Sequence, residues 1–306
     1  MKKLGGLSLL LLLAAGVWVN TLRPFPDEKA REAVWDSIHL TYGDIPSKSK
    51  VYWHSYVNRP RHIILMIPSA GREASDFNEL AKELKGAHNN LFLFDPRGLH
   101  NEPLHKNPTL HDFAEPITDF TSSLGAQPPK ILIGHAYGNR VVRMAAYQNP
   151  ENVRGVILLA AGGQVSADPE ADAALKRVFN PLKSYRSRMK DIQYAFFADG
   201  NDIPPHWKRG WHTKTAIAQG KAKGDGDDSW HCAGGVPMLI VQPMQDKIAP
   251  PANAYALKEK CPQEVEIVEV QNAGHALLPE QPEAVAKAVL DFLAKHRPTE
   301  TNKQEK

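Results

Sequence analysis

Ile131-Leu132-Ile133-Gly134-His135-Ala136-Tyr137-Gly138-Asn139-Arg140 is a short apolar strand that runs into a tight turn and then a helix start. Glycines stand two places before and two places after its tip, Ala136. That spacing suits a sharp strand-turn-helix bend, because a side chain at either glycine would collide with the adjoining helix or strand. Such a bend ordinarily lifts a nucleophilic side chain to the end of a sheet. Ala136 offers only a methyl group, which cannot attack a carbonyl, so no acyl-enzyme forms at this position.

Outward from the turn, short and mostly continuous apolar runs occupy residues 63–67, 91–94, 131–133, 156–160, 238–241 and 265–270. Runs of this kind are expected where parallel strands are covered by helices on both faces. Helical patterns lie between several of them, at 76–84, 139–147, 252–260 and 282–296. Residues 36–42 and 51–57 alternate apolar and polar and predict an antiparallel opening pair at a sheet edge. The chain is therefore expected to be an α/β protein with a mostly parallel central sheet.

Two later segments carry chemistry. Gln242-Pro243-Met244-Gln245-Asp246-Lys247-Ile248-Ala249-Pro250 places Asp246 in the turn after one strand, and Asn272-Ala273-Gly274-His275-Ala276-Leu277-Leu278-Pro279-Glu280 places His275 after the last. Turn, acid and histidine in this order resemble the α/β-hydrolase superfamily, over roughly residues 27–297. Alanine at the turn resembles a minority of members such as the RutD-type aminoacrylate hydrolases. The resemblance implies that Asp246 orients His275 as a base, with the elbow at Ala136. It also implies an oxyanion site made by the Tyr137 and Ala70 backbone amides, with Ser69 a second candidate in the loop Ile67-Pro68-Ser69-Ala70-Gly71-Arg72. Asp95-Pro96-Arg97-Gly98 resembles a structural turn of the same superfamily. A displaced serine nucleophile has Ser69 as its near candidate, although a serine after proline at a strand end is usually a turn former.

Four readings of the missing serine stay open at this point. The Asp-His dyad activates water in a hydrolase of a small or medium apolar carbonyl compound; it serves a lyase or cofactor-free oxygenase; the pocket only binds a ligand or partner; or Ala136 was engineered from the serine of an esterase. Residues 164–235 interrupt the alternation and predict a helical cap over the strand ends, where open α/β sheets bind ligands. The cap aromatics Phe179, Tyr185, Tyr194, Phe196, Phe197, Trp207, Trp211 and Trp230 either line a pocket or form that segment's own core.

With 306 residues, 42% of them hydrophobic, the chain accommodates one large domain, expected at 27–298 with a polar tail at 299–306. A net charge of +3 with scattered basic residues gives no nucleic-acid footprint, and the expected partner is a small-molecule substrate. Thirteen histidines show no paired ligand spacing, so no metal and no cofactor is expected. Lys2 and Lys3 precede an uncharged run at residues 4–19, shorter than the roughly 20 residues of a comfortable span. Residues 1–23 therefore read as a signal peptide or an N-terminal membrane anchor, and either places the domain in the cell envelope, periplasm or exterior. Cys232 and Cys261 each precede a strand, 238–242 and 265–270, expected to lie side by side. The pair is either a disulfide at the sheet edge or two buried thiols.

Overall fold

A computed structural model describes residues 41–44, 50–54, 60–84, 87–99, 103–125, 128–180, 182–222 and 228–296. Among the described residues, eight strands form one sheet: β1 (Thr41–Asp44), β2 (Lys50–His54), β3 (Ile63–Ile67), β4 (Asn90–Phe94), β5 (Lys130–His135), β6 (Val153–Leu159), β7 (Met238–Pro243) and β8 (Val265–Val270). Their order is β1-β2-β4-β3-β5-β6-β7-β8. β1 and β2 pair antiparallel, as does β2 with β4, and every later pairing is parallel. Of the expected opening pair, residues 36–40 and 55–57 lie outside the described residues, as do residues 1–23 and the 299–306 tail.

The continuous apolar runs follow from burial on both faces. Leu65, Leu132, Val156, Leu158 and Ile240 point into one core layer. Their neighbours Ile64, Met66, Ile131, Ile133, Ile157 and Leu239 point into the other. The first layer is closed by α2 (Leu110–Ser123), α3 (Gly138–Gln148) and α7 (Ala252–Lys260), the second by α1 (Asn78–Leu84) and α8 (Pro282–Lys295). Period-2 alternation then gives no polar face, which is why the runs read as unbroken.

Helix α2 had no expectation behind it. Pro116 stands in its interior and reads as a breaker, removing one backbone donor at a cost of about 3 kcal/mol. Two features offset that cost. Thr109 and Asp112 form a reciprocal capping box at its start. Phe113, Ile117 and Phe120 bury one face, with the Phe120 ring 4.8 Å from Phe92 and 5.6 Å from Phe94.

Residues 164–235, between β6 and β7, hold α4 (Pro169–Val178), α5 (Tyr185–Phe196), α6 (Thr213–Lys221) and short turns at Pro205–Lys208 and Ser229–Gly235. The aromatics divide. Phe196, Phe197, Trp207 and Trp211 make a small core with Val178, Ile192 and Ala276, against which Phe179 packs. Tyr185 and Tyr194 are exposed, and Trp230 belongs to the main sheet core instead.

Cys232 and Cys261 form a disulfide with 5.7 Å between their Cα atoms, tying the 229–235 turn to the end of α7. The bridge closes a separation of 29 residues, for which chain entropy gives a stabilisation of about 3–4 kcal/mol. Cys232→Ser is accordingly expected to lower the unfolding free energy by that amount, with a lower urea midpoint and a steeper slope because the unlinked unfolded chain exposes more surface. Equal midpoints with and without reductant in the wild type would contradict it.

Candidate active site

The elbow at the end of β5 has the steric character its glycines imply. A Cβ on Gly134 would lie 2.4 Å from the Gly138 carbonyl carbon, and one on Gly138 would lie 2.2 Å from Ile67 O. Strand, turn and helix therefore approach more closely than any side chain allows. Ala136, between them, has a φ of +50°, the left-handed conformation that costs a non-glycine residue about 1–2 kcal/mol. Its amide is held by Leu159 O at 3.0 Å. Asn139, fully buried, clamps the far side: Nδ2 donates to Leu159 O at 2.8 Å, and Leu159 N donates back to Oδ1 at 3.1 Å.

Asp246 and His275 meet. The imidazole Nδ1 lies 2.8 Å from Asp246 Oδ2, and both side chains are almost wholly removed from solvent, at 4% and 0% exposure. Asp246 Oδ1 accepts the Ile248 and Ala249 amides at 2.8 Å each, so the carboxylate is fixed by its own turn. With Nδ1–H donated to the acid, the Nε2 lone pair of His275 is free to act as a base.

Three residues hold the histidine loop in place. His135, next to the tip, lies 2.8 Å through Nε2 from His275 O, and its ring centre is 5.3 Å from that of His275. Glu280 Oε2 accepts Gly274 N at 2.7 Å, while Oε1 accepts Ala198 N and Asn201 Nδ2, both at 2.7 Å. Ala276 N donates to Phe196 O at 2.8 Å, which binds the loop to the end of α5. His135 and Glu280 both stand inside the motifs that revealed the dyad. Their sequence neighbours gave no sign that they join segments over 70 residues apart.

Burial, with the nearby His275 adding to it, pushes His135 down to about 4. The folded value lies below that of an unfolded histidine. The stability this confers is full above about pH 6.5 and is lost as pH falls toward 4, on the order of 3 kcal/mol in total. The His135 ring resonances are expected to stay at their neutral positions from pH 8 down to pH 5. A midpoint near 6.5 would show that the site is wetter than its packing indicates.

The loop after β3 is bolted to the 164–235 segment. Gly71 N donates to Gln219 Oε1 at 2.7 Å, His212 N to Gly71 O at 2.8 Å, and His212 Nε2 lies 2.8 Å from Glu73 Oε2. Arg72 is buried against Asp76 at 2.6 Å, donates to Arg209 O and Gly210 O, and stacks 4.6 Å and 4.5 Å from the Trp207 and Trp211 rings. Ser69 is buried, and its carbonyl accepts Arg72 N at 3.1 Å. Asp95 caps the same region by accepting Ala74 N at 2.8 Å. Among the described residues, Gly71 and Arg72 thus have their amides engaged, while the Ala70 and Tyr137 amides carry no such bond.

Phe196, with its ring 5.7 Å from that of His275, and Trp207, 6.4 Å from His135, cover the dyad. His275 keeps only 3% of its surface.

A family model described as the alpha/beta hydrolase family matches residues 64–288. The chain belongs to that family and is a hydrolase of the α/β-hydrolase type. It is 23% identical over 288 residues to monoglyceride lipase of Rattus norvegicus, covering 83% of this chain and 88% of the relative. Among solved structures, a membrane phospholipase A, described as a bacterial virulence factor, superposes with a TM-score of 0.70 at 20% identity, over 98% of this chain and 100% of the other. Carboxylesterase CesB of Bacillus subtilis superposes with a TM-score of 0.70 at 18% identity, over 88% and 97%. At these identities the structures speak for the fold.

Proposed function

We propose that this hydrolase works without a covalent intermediate. His275, oriented by Asp246, deprotonates a water at the position vacated at Ala136, and the Tyr137 and Ala70 amides receive the charge that develops on the carbonyl oxygen. The observation that carries the reading is the 2.8 Å His275–Asp246 contact, preserved beside an elbow whose glycines and left-handed tip keep the form that presents a nucleophile. A methyl group in place of a hydroxymethyl leaves room for the water. The oxyanion donors are backbone groups and need no particular side chain. The closely packed aromatic cover favours a small or medium apolar carbonyl compound. The named activities of the similar proteins, on glycerides, phospholipids and carboxylic esters, point to an ester or a related acyl bond. An exported location accords with the leader, and the disulfide accords with an oxidising compartment.

The test is turnover of a panel of esters, amides, lactones and β-diketones, with intact-mass measurement after acid quench. Turnover with no acyl adduct at any time is expected from the wild type. Ala136→Ser is expected to accumulate an acyl adduct and to react with a fluorophosphonate, because base and oxyanion donors are already in place. An adduct on wild-type Ser69 would replace the water mechanism. Silence of the wild type across the panel, with Ala136→Ser active, would remove the proposed activity.

A further inference from the structure

A cavity of about 120 Å³ lies between α3, the 229–235 turn and α7, lined by Arg140, Arg143, Trp230, His231, Leu257 and Lys260 among others. Ala136, Asp246 and His275 do not border it. Its volume is well above the roughly 10–15 Å³ that a single water requires, so it admits a small polyatomic ligand.

Among the described residues the lining of the cavity is cationic, with more arginine and lysine than carboxylate. Arg143 is 4% exposed; its Nε donates to Asn139 O at 3.1 Å and its guanidinium stacks 4.9 Å from the Trp230 ring centre. Among the described residues no carboxylate pairs with Arg143 or with its neighbour Arg140. Buried charges are ordinarily paired, and a guanidinium sunk beside a second arginine without an anion is costly. Burial, reinforced by Arg140, pushes Arg143 down to about 9. At the rim Lys260 Nζ lies 3.1 Å from Asp228 Oδ2 and 2.7 Å from His231 Nδ1, so the rim carboxylate is already engaged. The disulfide joins Cys232, which follows His231, to Cys261, which follows Lys260, and thereby fixes two walls of the cavity.

We propose that this cavity binds a phosphate group, either inorganic phosphate or the head of a phosphate ester, held by Arg140 and Arg143 with Lys260 at the rim. Guanidinium forks match the oxygens of a tetrahedral oxyanion in pairs, and a phosphate supplies the negative charge that Arg143 lacks. Trp230 and Leu257 present apolar surface that suits the organic part of an ester. The site stands apart from the dyad and does not depend on how the dyad works.

The experiment is calorimetric titration of the whole protein with inorganic phosphate and with hexyl phosphate, beside thermal melts in phosphate and chloride at equal ionic strength. Saturable one-to-one binding is expected, with a melting midpoint that rises with phosphate concentration but not with chloride. Arg140 is exposed, so Arg140→Gln folds normally and is expected to weaken binding roughly tenfold; Arg143→Gln weakens it further. His275→Ala leaves binding unchanged. Binding of both compounds identifies free phosphate as a ligand, and binding of hexyl phosphate alone identifies an ester. No saturable signal from either, or affinity unchanged in Arg140→Gln, overturns the assignment.

Discussion

Replacing His275 by alanine is expected to lower kcat by 10²–10⁴-fold or more on any substrate the wild type turns over, with KM changed far less. Its Nε2 is the proposed base, and the neighbouring imidazole is a poor substitute: His135 has its Nε2 on His275 O, and burial, pushing it down to about 4, makes it a weak base. Asp246→Asn gives the sharper version of the same test. Its carbonyl oxygen still accepts the Ile248 and Ala249 amides, so the turn survives, while its NH₂ faces His275 Nδ1. That nitrogen must then accept, the proton moves to Nε2, and the base is lost without loss of the fold. Expected is a collapse of turnover of similar size with an unchanged melting midpoint. Activity within threefold of wild type in either variant would remove the dyad from the mechanism.

Gly138→Ala is expected to cost at least about 3 kcal/mol of stability, a large part of the 5–15 kcal/mol typical of a folded domain. Its new methyl would stand 2.2 Å from Ile67 O and 2.9 Å from Pro68 O, and both are backbone atoms that cannot swing aside. Relief requires parting helix α3 from the end of β3, which also moves the Tyr137 and Ala70 amides. Turnover should fall with stability. Gly220→Ala is the control, since nothing lies within 4 Å of a Cβ there and the residue sits in helix α6. It should be neutral or stabilising by up to about 1 kcal/mol. Equal melting midpoints for the two variants would show that the elbow yields more readily than its geometry indicates.

The fold was legible because its signals are local. Strands β3 and β8 and helix α7 occur at the residues their patterns indicate: β3 is an apolar run buried along its whole length, whereas β8, at the sheet edge, keeps Val265 and Val270 buried with Glu266 and Glu269 exposed. Helix α2 was not among the expected helices; it carries Pro116 in its interior, and what offsets that is the packing of Phe113, Ile117 and Phe120 against a sheet distant in sequence. The capping box at Thr109 and Asp112 was the available signal. Asp246 and His275 were recognisable from their flanking motifs, whereas Glu280 stood in the same motif without a visible task. Its task is a bond to Ala198 and Asn201 in the inserted segment, and no periodicity reports such a pairing.

By itself the sequence determined the strand and helix alternation and the missing hydroxyl at Ala136, which follow from side-chain chemistry and near-neighbour sterics, and through its family resemblance it named Asp246 and His275 as the candidate acid and base. The tertiary structure alone decided that the inserted aromatics form a cover over His275. It also decided that Arg72 rivets the β3 loop to that cover and that, among the described residues, no carboxylate pairs with the buried Arg143. These depend on which surfaces meet after the chain closes on itself, and the free energy of burying a charge or an aromatic ring is set by partners that sequence distance does not reveal.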